Sequence, residues 1–244
     1  MGEVSMFRHE RHRRLLELLA SFDAGLLSRC SFFFGGGARI VLQLGEYRES
    51  HGLCFLCSDP EGYAELRFQA ASRGYDALFV PEARPALHLP GEPRIDMHGI
   101  RFAVEMEGSS IGVELVREPR IELDPGVRPD WSPVDCLSLA DCYAEKLLAN
   151  SDRWADREAL SRDLIDLSAL RRRTGPVPDT AWEKAEQAYK TSVRIDLLKA
   201  VAAFLGDVPH QQRCAEGLQL AEPAETLAAA SQLLLDLEAP SGLS

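Results

Sequence analysis

Lysine is scarce in this 244-residue chain: only four of its 27 basic residues are Lys, and the first of them is Lys146. Acids outnumber bases 38 to 27, a net charge of −11, which argues against broad, nonspecific coating of nucleic acid. No apolar run approaches the roughly 18–20 residues that a membrane span requires. The N-terminal MGEVSMFRHERHRR is too polar for a secretory signal. Six Cys occur without an even framework of spacings, which excludes a disulfide-stapled miniprotein and reads as reduced thiols. A cytoplasmic protein with no membrane partner is expected. What is present, 45% apolar and 27% charged residues, is the composition of a globular protein able to build one large core or two modest ones.

Apolar periodicity predicts a helix over about 7–28, with Leu15, Leu19, Phe22 and Leu26 on one stripe. FFFGGG at 32–37 breaks it as a strand end or tight loop, and a short helix follows at 38–44, ended by Gly45. Residues 53–57 read as a buried strand and 61–72 as a helix. Four β-type runs (RIDM, IRFAVEM, SIGVELV and RIEL) lie between 94 and 123, separated by turns at His98-Gly99 and Glu107-Gly108-Ser109. Beyond a Pro- and Asp-rich stretch at 124–133 the pattern is helical throughout. Helices are expected to about 150, over about 156–173, from a capping box at Thr180 and Glu183 to Gly206, and over about 209–219 and 223–237. The expected fold class is α+β: a mixed β-sheet with flanking helices over 1–130, then a C-terminal helical domain over 131–244.

Two blocks carry chemistry. The first runs Gly36-Gly37-Ala38-Arg39-Ile40, Leu44-Gly45, Arg48-Glu49-Ser50, then a strand. The second is Leu139-Ala140-Asp141-Cys142-Tyr143-Ala144-Glu145-Lys146-Leu147, then Asp152-Arg153, then Arg162-Asp163-Leu164-Ile165-Asp166-Leu167. In this order they resemble nucleotidyltransferases of the AbiEii/AbiGii toxin type, in which Gly-Gly-Thr opens a helix, Arg-x-Ser-x precedes an Asp-x-Asp strand, and Ala-Glu-Lys-Leu and Arg-Asp-Leu-x-Asp-Leu lie on helices. The resemblance implies a nucleotidyltransferase fold and Mg²⁺-dependent transfer of a nucleotidyl group from an NTP to an acceptor such as RNA. It also implies a toxin–antitoxin context with a cognate antitoxin protein. It gives nucleotide-binding roles to Gly36, Gly37, Arg48 and Ser50, and catalytic roles to Lys146, Asp163 and Glu114. A glycine-rich turn into a helix N-terminus lets backbone N–H groups approach phosphates, while paired carboxylates hold the metal ions that bridge them.

The resemblance fails at the metal pair. The family's two Asp positions fall on Gly52 and Cys54, and its Thr falls on Ala38. Glu114 alone would remain as a metal ligand. Two readings stay open: an NTP-dependent nucleotidyltransferase, degenerate through loss of the Asp pair, or an inactive relative that binds a nucleotide or a protein partner. Asp163 and Asp166, at i and i+3, share a helix face. They either salt-bridge to Arg162 or Arg171, or line a pocket where Asp163 orients Lys146. In His51-x-x-Cys54-x-x-Cys57 the two thiols fall on opposite strand faces and do not chelate together. The Arg- and His-rich segment 8–14 reads as a solvated helix start, with RNA contact as the alternative.

Overall fold

The apolar stripe over 7–28 is cut at Asp23. α1 spans Glu10–Ala20 and α2 Ala24–Arg29, and the Asp23 carboxylate accepts a hydrogen bond from Leu26 N at 2.9 Å. Satisfying one orphan amide at the start of α2 stabilises a new helix there rather than a continuation of the old one. Residues 7–238 are described by the computed structural model. After β1 (Phe33–Gly35) the chain passes directly into α3 (Gly36–Gln43). Gly36 makes that corner with φ of +65°, a conformation costly for any residue with a Cβ. β2 (Gly52–Cys57), α4 (Pro60–Arg73), β3 (Arg94–Ile95), β4 (Gly99–Met106) and β5 (Ser109–Arg117) follow.

The sheet is five-stranded and mixed, in the order β1-β2-β5-β4-β3. β2 and β5 run parallel, and the other neighbours are antiparallel. Its buried face packs Phe22 against Phe55 and Phe79, with ring centroids 5.0 and 4.6 Å apart, and Phe102 against Phe79 at 5.9 Å. The RIEL segment does not form the expected strand. The Glu118 carboxylate takes the Arg120 amide at 2.8 Å, and Leu123 N donates to Ser58 Oγ at 3.0 Å, so these amides are spent on side chains instead of a ladder.

Two compact units emerge: Met1–Arg39 with Ser50–Ser138, which holds the sheet, and Ile40–Glu49 with Leu139–Ser244. The second contains α5 (Leu139–Arg153), α6 (Arg162–Thr174), α7 (Asp179–Tyr189), α8 (Ser192–Leu205), α9 (Val208–Gly217), α10 (Pro223–Ala229) and α11 (Leu233–Glu238). Backbone bonds tie the short segment 40–49 to these helices, from Glu49 N to Leu218 O at 3.0 Å and from Ala221 N to Tyr47 O at 2.9 Å. Two expected helices are each shorter than their apolar pattern. The one over 156–173 is replaced by a 3-10 turn, then Leu160 and Ser161 at φ of 54° and 47°, then α6. The one from 180 to 206 is broken at Lys190, φ 57°, into α7 and α8. Tyr143, Leu147, Leu148, Leu164, Leu167, Val193, Leu197 and Phe204 are buried in this unit. No helix among the described residues is long and apolar enough to cross a membrane.

Candidate functional site

One row of residues crosses the whole sheet. Gly35 pairs with Cys54, Cys54 with Glu114, Glu114 with Arg101, and Arg101 with Arg94. Residues directly opposite one another share a sheet face. Their neighbours Leu53, Phe55, Val113, Leu115 and Phe102 point the other way and are buried. The row therefore presents a thiol, a carboxylate and two guanidiniums on the face away from the aromatic core. Gly36 abuts it: a Cβ at that position would lie 3.1 Å from Cys54 Cβ. Gly52 has a stricter reason to be glycine, because its Cβ would stand 2.7 Å from the Gly112 carbonyl oxygen on β5. Gly36→Ala is accordingly expected to cost about 1–3 kcal/mol, read as a lowered urea midpoint. An unchanged midpoint would show that the corner relaxes.

Mg²⁺ requires several oxygen ligands in near-octahedral array. At the two positions where the resemblance puts an acid pair, β2 supplies Gly52, paired with Gly112, and the Cys54 thiol of the row. Glu114 is 55% exposed, with Oε1 3.7 Å from Arg101 Nε. Among the described residues no group of three or more His, Cys, Asp or Glu converges as a metal site. The residues present do not fit the ion.

Cys57, on the opposite face of β2, is buried with Sγ 3.3 Å from the Cys30 carbonyl oxygen, and burial pushes its thiol up to about 12. All six cysteines are free thiols.

The second unit gathers the other expected residues into a buried charge cluster. Lys146 and Arg153 lie two turns apart on α5, and Asp163 and Asp166 one turn apart on α6. Lys146 Nζ lies 2.8 Å from Asp163 Oδ1 and 2.6 Å from Asp166 Oδ2. Arg48 grips Asp166 with two parallel bonds, Nε to Oδ1 at 2.7 Å and a terminal nitrogen to Oδ2 at 2.9 Å. The Tyr47 hydroxyl donates to Asp166 Oδ1 at 2.6 Å, and Arg153 donates to both oxygens of Asp163 at 2.6 and 2.9 Å. Burial would neutralise each carboxylate, but Lys146 and Arg153 hold Asp163 well below the usual carboxylate range, and Arg48 and Lys146 lower Asp166. Burial likewise disfavours the Lys146 ammonium, and the two carboxylates override it and raise its pKa.

These shifts fix the sign of a pH dependence. The carboxylates contribute their full stabilisation above the unfolded value of about 4 and lose it as pH falls through their depressed folded values. Lys146 contributes fully below about pH 10.4 and loses its share as pH rises through its raised folded value. Urea midpoints between pH 2 and 5 are expected to fall steadily toward the acid end, and less steeply in Asp166→Asn. Parallel slopes for the two proteins would contradict the assignment.

Individual residues sit as follows. Arg48, expected at a phosphate, has each of its three guanidinium nitrogens engaged, two on Asp166 and the third on the Glu49 carbonyl at 2.7 Å. Ser50 is buried, and its amide donates to His12 Nε2 at 3.2 Å. Gly36 and Gly37 open α3. Lys146 and Asp163 are in contact, whereas the local salt bridges from Asp163 and Asp166 to Arg162 and Arg171 give way to partners on other segments. Tyr47 carries no signal in the sequence, since it gains its meaning only from Asp166, distant along the chain, and Arg101 gains its own from Glu114 across the β4–β5 hairpin. In the 8–14 segment Arg14 pairs with Glu10 at 2.5 Å and with Glu107 at 3.1 Å.

A family model described as the nucleotidyl transferase AbiEii toxin of type IV toxin–antitoxin systems matches residues 18–235. Among solved structures, JHP933 from Helicobacter pylori shares 16% identity over 94% of each chain with a TM-score of 0.52. A second Helicobacter pylori structure, described as a candidate nucleotidyltransferase, shares 15% identity over 93% of this chain and 95% of its own, with a TM-score of 0.46. No curated protein matches the chain.

Proposed function

Because the chain belongs to the AbiEii nucleotidyltransferase toxin family, we propose that it retains that family's nucleotide-binding scaffold while having lost two-metal nucleotidyl transfer. The observation that carries this reading is the chemistry of β2: Gly52 and Cys54 stand where the acid pair belongs, and Glu114, opposite Cys54, is turned toward Arg101. What supports nucleotide binding is the corner at Gly36 and Gly37, where the first amides of α3 offer donors and a positive dipole end to a phosphate. The ligand class is a nucleoside triphosphate held without Mg²⁺. RNA and a cognate antitoxin are partners proposed from the family, and the cytoplasm is the compartment proposed for it.

The test is calorimetric titration with NTPs, with and without Mg²⁺, followed by incubation with labelled NTP and RNA. Binding indifferent to Mg²⁺, with no label transferred, is expected. Mg²⁺-dependent transfer to RNA would overturn the loss of chemistry, and absence of NTP binding would overturn the scaffold's role.

A further inference from the structure

We propose that the N-terminus of α6 is an oxyanion site that takes one oxygen of a phosphate group. The site is built by the unusual entry into that helix. Leu160 and Ser161 both adopt positive φ, and the Ser161 side chain makes no capping bond because its hydroxyl lies 2.9 Å from His210 Nε2. The first backbone bond of the helix runs from Ile165 N to Ser161 O at 3.0 Å. The amides of Arg162, Asp163 and Leu164 therefore have no acceptor among the described residues, although Asp163 and Leu164 are buried. Amides left uncapped at a buried helix start carry a desolvation cost that an acceptor would relieve.

An independent observation points to a ligand. A cavity of about 10 Å³ sits at this helix start, lined by Asn150, Arg153, Ser161, Arg162, Asp163 and Leu164 among others. Asn150, on α5, is only 2% exposed, and its amide nitrogen has no hydrogen-bond partner. Such a cavity has room for about one oxygen-sized group. Donors outnumber what a water can satisfy, since its oxygen accepts two hydrogen bonds and its own two protons need acceptors. An anionic phosphoryl oxygen accepts up to three and brings no protons. Trp154 and Ala200 close the wall with apolar surface.

Charge favours the same ligand. Arg48, Lys146 and Arg153 face two carboxylates in the cluster, and both oxygens of Asp163 are already held by Lys146 and Arg153. Asp152 also lies near Arg153 and formally cancels that excess, so the net positive charge at the site comes from Arg162. Arg162 is exposed, forms no ion pair among the described residues, and stands at the mouth, where the remaining oxygens of a phosphate would lie. With the dipole of a 13-residue helix added, the site is a donor-lined, positive recess sized for one oxygen. The proposal is independent of the reading given to Gly36 and Gly37.

The experiment is an amide-resolved NMR titration of the full chain with inorganic phosphate, against NaCl at matched ionic strength. Saturable shifts of the Arg162, Asp163 and Leu164 amides and of the Asn150 side-chain NH₂ are expected with phosphate only. Arg162→Glu, a surface change, should weaken phosphate at least tenfold, and Asn150→Asp should do so by placing a carboxylate in the recess. Equal shifts in NaCl, no saturation, or an Arg162→Glu protein that binds as before would each overturn the site. A parallel titration with a nucleoside monophosphate identifies the source: tighter binding than phosphate, weakened equally by Arg162→Glu, assigns the oxygen to a nucleotide, and weaker binding assigns it to free phosphate.

Discussion

Lys146→Met is expected to lower the unfolding free energy by about 3–5 kcal/mol, the cost of leaving buried carboxylates short of a cation. Both acids it touches are enclosed, with Asp166 side-chain exposure at 0% and Asp163 at 5%. Neither can recover the loss by turning to water. Arg48 and Arg153 remain in place, so each carboxylate keeps one cation and the expected cost stays at this level instead of abolishing the fold.

A double-mutant cycle with Asp163→Asn separates ionic coupling from lost packing, and the pair should couple by at least about 1 kcal/mol. Lys146→Arg is expected to rescue poorly. A single compact ammonium reaches Asp163 at 2.8 Å and Asp166 at 2.6 Å, whereas a planar guanidinium needs a wider slot with fixed donor directions. In a chain that uses Arg for nearly every cation, this is a position where the substitution carries a physical penalty. A loss below about 1 kcal/mol in Lys146→Met would mean that the cluster hydrates and is not the buried network described here.

Much of the first unit was legible because its signals are local. The apolar run at 53–57 is β2, which begins one residue earlier, and the Glu107-Gly108 turn joins β4 to β5 with both residues at positive φ. Helix interiors were equally visible, but their ends were not. Leu160, Ser161 and Lys190 adopt positive φ but carry no Gly or Pro signal that would mark a break. The RIEL run has strand composition, yet Glu118 and Ser58 claim its amides, a competition that propensity does not register.

The site divides in the same way. The replacements at Gly52 and Cys54 can be read from residue order, and Glu114 meets Arg101 across the β4–β5 hairpin, but Cys54 is set beside Glu114 only through strand pairing across a long separation. Local spacing offered Arg162 and Arg171 as partners for the two acids. Arg162 is exposed and Arg171 is taken by Asp236, and the buried acids are held instead by Lys146, Arg48 and Arg153. The segment 40–49 could not be assigned to the helical unit by sequence, since its ties there, from Tyr47 and Arg48 to Asp166 and from the backbone to residues 218–221, all span long separations.

Restoring the two family acids is expected to give unequal results. Cys54→Asp introduces a carboxylate at a half-buried position in line with Glu114. The fold should survive, and the two neighbouring acids should repel each other until a cation arrives. Mg²⁺ is therefore expected to raise the melting temperature of Cys54→Asp, by preferential binding to the native state, and to leave the parent chain unmoved. Gly52→Asp meets a different obstacle. Its Cβ would stand 2.7 Å from the Gly112 carbonyl oxygen, so β2 and β5 must separate to admit any side chain. Forcing that separation should cost about 1–3 kcal/mol, as other overpacked substitutions do. The double variant should then be less stable than Cys54→Asp alone and gain no further Mg²⁺ response. On that outcome the glycine is more than a missing ligand: the strands have closed over the place of the first acid, and chemistry cannot be recovered by replacing side chains one for one. If the double variant instead folds as well as the parent and transfers a nucleotide with Mg²⁺, the sheet has kept the room for its metals and the loss lies in the two side chains alone.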